Sequence, residues 1–368
     1  MERALATSRD RLGASQDDSR RIRLMIVDDS IVARAVLSRI VQSDEQFEIA
    51  AVAGTAEDAV DALGMVSVDT ILLDLEMPGE GGLKSIPRIL DAAAGAHVMI
   101  VSSLAEEGAE ETVTALALGA ADALPKPGTG RFHGRFSEIL LSRLKALGYA
   151  DRKSEPRRAP ASGFSAPLRA MPSAEIELLA IGASTGGIHA LGNFFQSLPR
   201  RIGAPILVTQ HLPVPFMPVF ARQLSIAAGR ETLVAEDGMK LLPDRIVVAP
   251  GDAHLIVEKI GETCLVRLDR EVSLSGCMPS LDPMFRSAGE AFGAGAVGVV
   301  LTGMGRDGVH GAESLIASGG SVLAQDEMSS AVWGMPRAIV EAGLASAVMA
   351  PDKLARRVAS RARDQACR

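Results

Sequence analysis

The chain is short of aromatic residues and cysteines, and it has no long basic tract and no long apolar run; each shortage excludes something. Aromatic residues make up 3% of the 368 residues, too few for the stacking platforms that hold single-stranded nucleic acid. The formal net charge is −7. With no Lys/Arg stripe, nucleic acid is not the partner this charge selects. Cysteine occurs three times, at Cys264, Cys277 and Cys367, without Cys-x-x-Cys spacing. An odd, scattered set reads as reduced thiols in a cytoplasmic protein rather than as a disulfide framework. No apolar run approaches the roughly 18 residues of a membrane-spanning helix. Residues 1–20 are charged and polar and lack the apolar core of a signal peptide. The expectation is a cytoplasmic protein that binds no nucleic acid and does not insert into a membrane.

What is present is a strand-and-helix rhythm. Hydrophobic residues make up 47% of the chain, whose length suits two domains of roughly 100–200 residues. Short apolar runs at 23–27, 49–53, 70–73, 98–101 and 122–124 read as strands, with helical patterns such as 31–41 and 57–65 between them. This alternation implies a parallel sheet wrapped on both faces. From 151 to 173 the rhythm stops in DRKSEPRRAPASGFSAPLRAMPS, a linker with four prolines and no apolar period. It resumes at 177–181, 206–209, 246–249, 297–301 and 321–324. The predicted layout is a disordered lead-in (1–21), an α/β domain (22–147), a linker (148–174), a second α/β domain (175–352) and an Arg-rich tail (353–368).

In the first domain Asp28 and Asp29 stand where the first strand ends, and Asp74 stands at the end of the third, in LLDLEMPG. The carboxyl ends of parallel strands share one edge, where ligands gather. Three carboxylates meeting there repel one another unless a cation joins them. Mg²⁺, a hard ion that takes oxygen ligands beside a phosphate, fits that need. Lys126, in LPKPG, supplies a second positive charge, and Ser102 at the end of the fourth strand offers a hydroxyl. As a set, the spacing resembles the receiver domain of response regulators over residues 22 to about 145. The resemblance implies a flavodoxin-like fold with Asp74 as phosphate acceptor. It implies Mg²⁺ held by Asp28, Asp29, Asp74 and the carbonyl of Glu76, and a phosphoryl group touched by Ser102 and Lys126. One position departs from the pattern: Ala123 stands where receivers usually carry an aromatic switch residue.

In the second domain IGASTGG follows a strand and precedes a helical pattern. Its Gly-x-Ser-x-Gly core has the form of a nucleophile elbow presenting Ser184. The helix amides that follow could hold an oxyanion, although a Gly-rich turn before a helix also binds phosphate. A serine nucleophile needs a base. His211, in ILVTQHLP, closes the next strand, and Asp307, in VVLTGMGRDG, lies in a glycine-rich loop beyond another. His254 competes with His211, and Asp282 and Asp326 compete with Asp307, whereas His189 reads as surface or packing. The chain order Ser, His, Asp is not that of α/β-hydrolases.

The segments IGASTGG, VTQHLP, VVAPGDAH, PSLD, LTGMGRDG, LAQDE and VWGMP are similar, in order, to those of the catalytic domain of the chemotaxis protein-glutamate methylesterases. The resemblance implies a doubly wound, Rossmann-like parallel sheet. It implies Ser184 as nucleophile, His211 as general base, Asp307 as its orienting partner, and the backbone at Thr185 and Met304 as oxyanion support, with no cofactor in this domain. The activity implied is phosphorylation-regulated hydrolysis of glutamate methyl esters, and of certain glutamine amides, on methyl-accepting chemotaxis receptors. The partners implied are those receptors and a chemotaxis histidine kinase. Met278 stands where the family often has a basic residue. The competing class is a receiver-switched binding effector without catalysis.

Overall fold

The computed structural model describes residues 21–102, 106–126, 134–150 and 167–362. Residues 1–20 of the predicted lead-in, most of the linker and the end of the tail lie outside the described residues. The first sheet contains β1 (Ile22–Val27), β2 (Phe47–Ala53), β3 (Thr70–Leu73), β4 (His97–Ser102) and β5 (Asp122–Pro125), all parallel, in the order β2-β1-β3-β4-β5. β1, β3 and β4 are almost wholly buried and apolar, as strands covered on both faces must be. The order reverses between β1 and β3, so Asp28 and Asp74, which follow these two strands, meet at the switch point of a flavodoxin-like sheet.

The second sheet has seven parallel strands. They are β6 (Leu178–Ala183), β7 (Ile206–Gln210), β8 (Thr232–Val234), β9 (Ile246–Val248), β12 (Ala296–Val300), β13 (Ser321–Gln325) and β14 (Ala345–Met349), in the order β14-β13-β12-β6-β7-β9-β8. β10 (His254–Ile260) and β11 (Thr263–Asp269) form a separate antiparallel hairpin. Here the switch point falls between β6 and β12, which pair Gly182 with Val300. A doubly wound domain is thus present, with its ligand crevice expected where Ser184 and Asp307 leave those strands.

The structure corrects the boundaries read from sequence. The helix Arg135–Ala150 runs past the expected domain end at 147. The predicted tail begins inside a helix, Pro351–Ala359, that belongs to the second domain. Pro351 occupies its first turn, where a missing N–H costs nothing. Leu354, Ala355 and Val358 on one face are fully buried, while Arg356 and Arg357 are exposed and basic charge suits a helix C-terminus.

The two domains pack against each other. The helix Glu106–Ala117 of the first lies on the helices Gly187–Ser197 and Met217–Ala228 of the second. Ala109, Val113 and Leu116 join the same buried apolar cluster as Phe216, Met217 and Phe220. At the rim, Arg222 pairs with Glu110 at 2.7 Å, and the Gln223 side-chain amide lies 2.8 Å from the Thr114 hydroxyl. On the other side of the contact, Val332, Met304 and Ala331 of the second domain pack into the cluster that contains Leu124 and Phe136.

Candidate active site

β6 ends at Ala183, and Ser184 follows on a turn whose amide donates to the Thr302 carbonyl at 3.0 Å. Gly186 then takes a left-handed conformation (φ 76°) and caps the helix Gly187–Ser197, as a β-carbon there would disfavour. Gly182 is needed for a different reason: a β-carbon on it would lie 1.8 Å from Cδ2 of Leu281. β7 runs beside β6 with Ala183 opposite Gln210, which places Ser184 and His211 at one level on adjacent strands. Among the described residues no hydrogen bond joins the Ser184 hydroxyl to His211, and neither the Thr185 nor the Met304 N–H has a partner.

Asp307 is 2% exposed and accepts four hydrogen bonds. Its Oδ2 meets His211 Nε2 at 3.0 Å and accepts from the Leu281 N–H at 2.8 Å; its Oδ1 accepts from the hydroxyls of Ser275 at 2.6 Å and Ser280 at 2.5 Å. Burial pushes its pKa up, but the His211, Ser275 and Ser280 bonds outweigh that and hold the carboxyl below its usual range.

The competitors are placed elsewhere. His254 is fully buried, its Nδ1 accepting from the Ser280 N–H at 2.9 Å and its Nε2 lying 2.8 Å from the Glu271 carbonyl. An amide can only donate and a carbonyl can only accept, so the ring is held as the Nε2–H tautomer with both nitrogens committed. Asp282 accepts from the Gly311 N–H at 2.8 Å, and burial raises its pKa. Asp326 binds the N–H and hydroxyl of Ser329. Sequence reasoning missed Ser275 and Ser280, which hold Asp307. Ser280 was legible in part, since its hydroxyl also caps the helix Leu281–Phe292. Nothing local marks Ser275.

In the first domain, ligand atoms of Asp28, Asp29 and Asp74 all lie within 4.8 Å of one another. Lys126 Nζ stands 2.7 Å from Asp74 Oδ2 and 3.0 Å from Asp28 Oδ2. Desolvation raises the Asp74 pKa to about 6; Lys126 opposes this and Asp28 adds to it. Glu76 donates its N–H to Asp74 at 3.4 Å. The Ser102 hydroxyl lies 2.6 Å from Thr112 Oγ1. Thr112 in turn donates to the Gly108 carbonyl, so Ser102 is the donor of that pair.

The catalytic elbow touches the receiver domain at the opening of β5. Gly186 donates its N–H to the Ala121 carbonyl at 2.6 Å, and the Thr185 hydroxyl donates to Asp122 Oδ2 at 2.8 Å. Asp122 is held in turn by Arg143 at 2.9 Å, which also binds the Ala123 carbonyl. The turn that presents Ser184 is therefore gripped by the residues that open β5.

A receiver sheet bonded to the elbow of a doubly wound enzyme domain defines a response regulator with an enzymatic output. Two family models agree with that division: "Response regulator receiver domain" over residues 24–133 and "CheB methylesterase" over 179–358. Among curated proteins, the protein-glutamate methylesterase/protein-glutamine glutaminase 2 of Caulobacter vibrioides is 40% identical, covering 94% of this chain and all of the relative. The corresponding protein of Azospirillum brasilense is 37% identical over 89% of each chain. Among solved structures, the Thermotoga maritima CheB methylesterase catalytic domain is 32% identical, covers 50% of this chain and 98% of its own, and superposes with a TM-score of 0.49. The chain belongs to the protein-glutamate methylesterase/protein-glutamine glutaminase family.

Proposed function

We propose that the chain hydrolyses glutamate methyl esters, and glutamine amides, on methyl-accepting chemotaxis receptors, with Ser184 as nucleophile. The single observation that carries this is the Asp307 carboxylate, ionised by four hydrogen bonds and aimed at His211 beside the Ser184 elbow. An ionised Asp307 fixes the proton of neutral His211 on Nε2 and leaves Nδ1 as the basic nitrogen. In the first step Nδ1 takes the Ser184 proton while the oxygen attacks the ester carbon. The open Thr185 and Met304 amides are suited to hold the oxyanion. Nδ1 then delivers the proton to the leaving methoxide and methanol departs. In the second step water loses a proton to Nδ1 and releases the glutamate carboxylate, regenerating Ser184. An amide substrate would follow the same route with ammonia leaving.

Control is assigned to the receiver. Asp28, Asp29, Asp74 and the Glu76 carbonyl form an all-oxygen set suited to Mg²⁺, and the buried Asp28 Oδ2 already faces a cation, Lys126 Nζ at 3.0 Å. Bound there, the ion supplies charge neutralisation for phosphoryl transfer from a chemotaxis histidine kinase to Asp74. A phosphoryl group on Asp74 would draw Lys126 and the Ser102 hydroxyl toward it. Lys126 follows β5 directly, and Ser102 would release Thr112 on the helix that packs against the second domain. Both movements act on elements that dock against the second domain, so phosphorylation favours the undocked, active arrangement. Among the described residues no helix is long and apolar enough to cross a membrane; cytoplasmic action on the inner ends of receptors accords with the proposal.

A fluorophosphonate probe tests the nucleophile. Labelling should map to Ser184, rise with phosphodonor and collapse in His211→Gln. Labelling at another residue, or equal labelling of His211→Gln, would refute the assignment.

A further inference from the structure

Beside the triad stands a side chain that the hydrolytic mechanism does not use. Cys277 lies half-buried on the loop between β11 and the helix Leu281–Phe292. Ligand atoms of His211, Cys277 and Asp307 all lie within 4.8 Å of one another. From this geometry we infer a binding site for a borderline-soft divalent cation, Zn²⁺ or Co²⁺, ligated by His211 Nε2, Cys277 Sγ and Asp307 Oδ2, whose occupancy switches the esterase off.

Three features carry the inference. The donor set is mixed nitrogen, sulfur and oxygen, which selects Zn²⁺ and its neighbours over Mg²⁺ or Ca²⁺. The spacing fits: metal–ligand arms of about 2.0–2.1 Å at a tetrahedral angle place nitrogen and oxygen roughly 3.3 Å apart. His211 Nε2 and Asp307 Oδ2 already stand 3.0 Å apart, so the ion enters by opening a hydrogen bond a few tenths of an ångström. Cys277 Sγ, within 4.8 Å of the other two ligand atoms, supplies the third position, and water completes the fourth. The outer shell is also built. Ser275, Ser280 and the Leu281 N–H hold the Asp307 carboxylate in place, the arrangement that orients metal-ligating carboxylates. The His211 side chain is 17% exposed, which leaves a route for the ion.

The step balances as follows. The cation bonds to the Nε2 lone pair as the imidazole proton moves from Nε2 to Nδ1 through solvent. Cys277 releases its thiol proton to water and binds as thiolate, while Asp307 is already ionised. One proton leaves per ion bound, and no electrons are transferred. Nδ1 now carries a proton and cannot accept one from Ser184. This inhibitory consequence rests on the reading of His211 as general base; the binding itself does not.

The test is titration of the full chain with Co²⁺, with excess Mg²⁺ present to fill the receiver carboxylates. Thiolate-to-cobalt charge-transfer absorption should rise to one equivalent and be displaced by Zn²⁺. It should persist in Cys264→Ala, Cys367→Ala and Asp28→Asn, and vanish in Cys277→Ala and Cys277→Ser. Zn²⁺ should inhibit ester hydrolysis, with its inhibition constant, taken against each protein's own metal-free rate, raised more than about tenfold by either Cys277 substitution. Absence of the band, or an equal band in both Cys277 variants, overturns the site. A Cys277-dependent band with hydrolysis unimpaired overturns the inhibition and points to an error in the role given to His211.

Discussion

Replacing Asp122 with alanine removes a receiver carboxylate that holds the elbow. Asp122 Oδ2 accepts from the Thr185 hydroxyl at 2.8 Å, and its side chain is 13% exposed, so water screens the contact weakly. A hydrogen bond to a charged group is worth about 1.5–3 kcal/mol net. At about 1.4 kcal/mol per factor of ten, Asp122→Ala shifts the docked–undocked equilibrium roughly ten- to a hundredfold toward the undocked form. Asp122→Asn keeps an acceptor but loses the charge, and should shift it less. Basal methanol release without phosphodonor should rise in the order wild type, Asp122→Asn, Asp122→Ala. The ceiling is the phosphorylated wild-type rate, since an enzyme already undocked gains nothing more. Arg143 keeps its bond to the Ala123 carbonyl, so the receiver should stay folded, which phosphate uptake at Asp74 checks. An unchanged or lowered basal rate, with phosphate uptake intact, would refute inhibition by docking.

Other consequences are equally direct. Ser275→Ala removes one hydroxyl from Asp307 on an exposed loop, so kcat should fall about tenfold with Tm preserved; unchanged kcat would remove Ser275 from the account. Gly182→Ala forces a β-carbon into Leu281, whose N–H holds Asp307, so both Tm and activity should drop; a fully active variant would contradict that packing. Asp74 has its pKa raised from 3.8 to about 6, chiefly by desolvation. The folded state therefore binds the extra proton, and Asp74's contribution to stability is present below pH about 4 and lost as pH rises through about 6. At 1.36 kcal/mol per pH unit that loss is about 3 kcal/mol without Mg²⁺. Denaturant unfolding across this range should show the slope in Mg²⁺-free wild type and a flatter one in Asp74→Asn; equal slopes would contradict it.

The fold was legible where burial writes itself into local sequence. The five strands of the first sheet and the five central ones of the second are apolar runs bounded by turns. β8 and β14 were missed: β8 has only three residues and both lie at the sheet's edges, where alternation is weak. The β10–β11 hairpin was missed because its polar, exposed far end breaks the apolar run. That omission mattered, since the hairpin and the loop after it carry His254, Ser275 and Cys277. The helix Pro351–Ala359 was hidden by its arginines, which face away from Leu354 and Val358. The placement of Ser184, His211, Asp28 and Asp74 was readable because each follows a strand end, and that of Asp307 because its loop leaves another. The grip of Asp122 on Thr185 was not, because a bond between residues 63 positions apart leaves no local trace.

The most direct test of the central claim is methanol release from methylated chemoreceptor fragments by wild type and Ser184→Ala, each with and without a phosphodonor. The account predicts release by wild type that rises with the phosphodonor, and release by Ser184→Ala at the uncatalysed level in both conditions. Turnover by Ser184→Ala near the wild-type rate, or wild-type release indifferent to the phosphodonor, would contradict it.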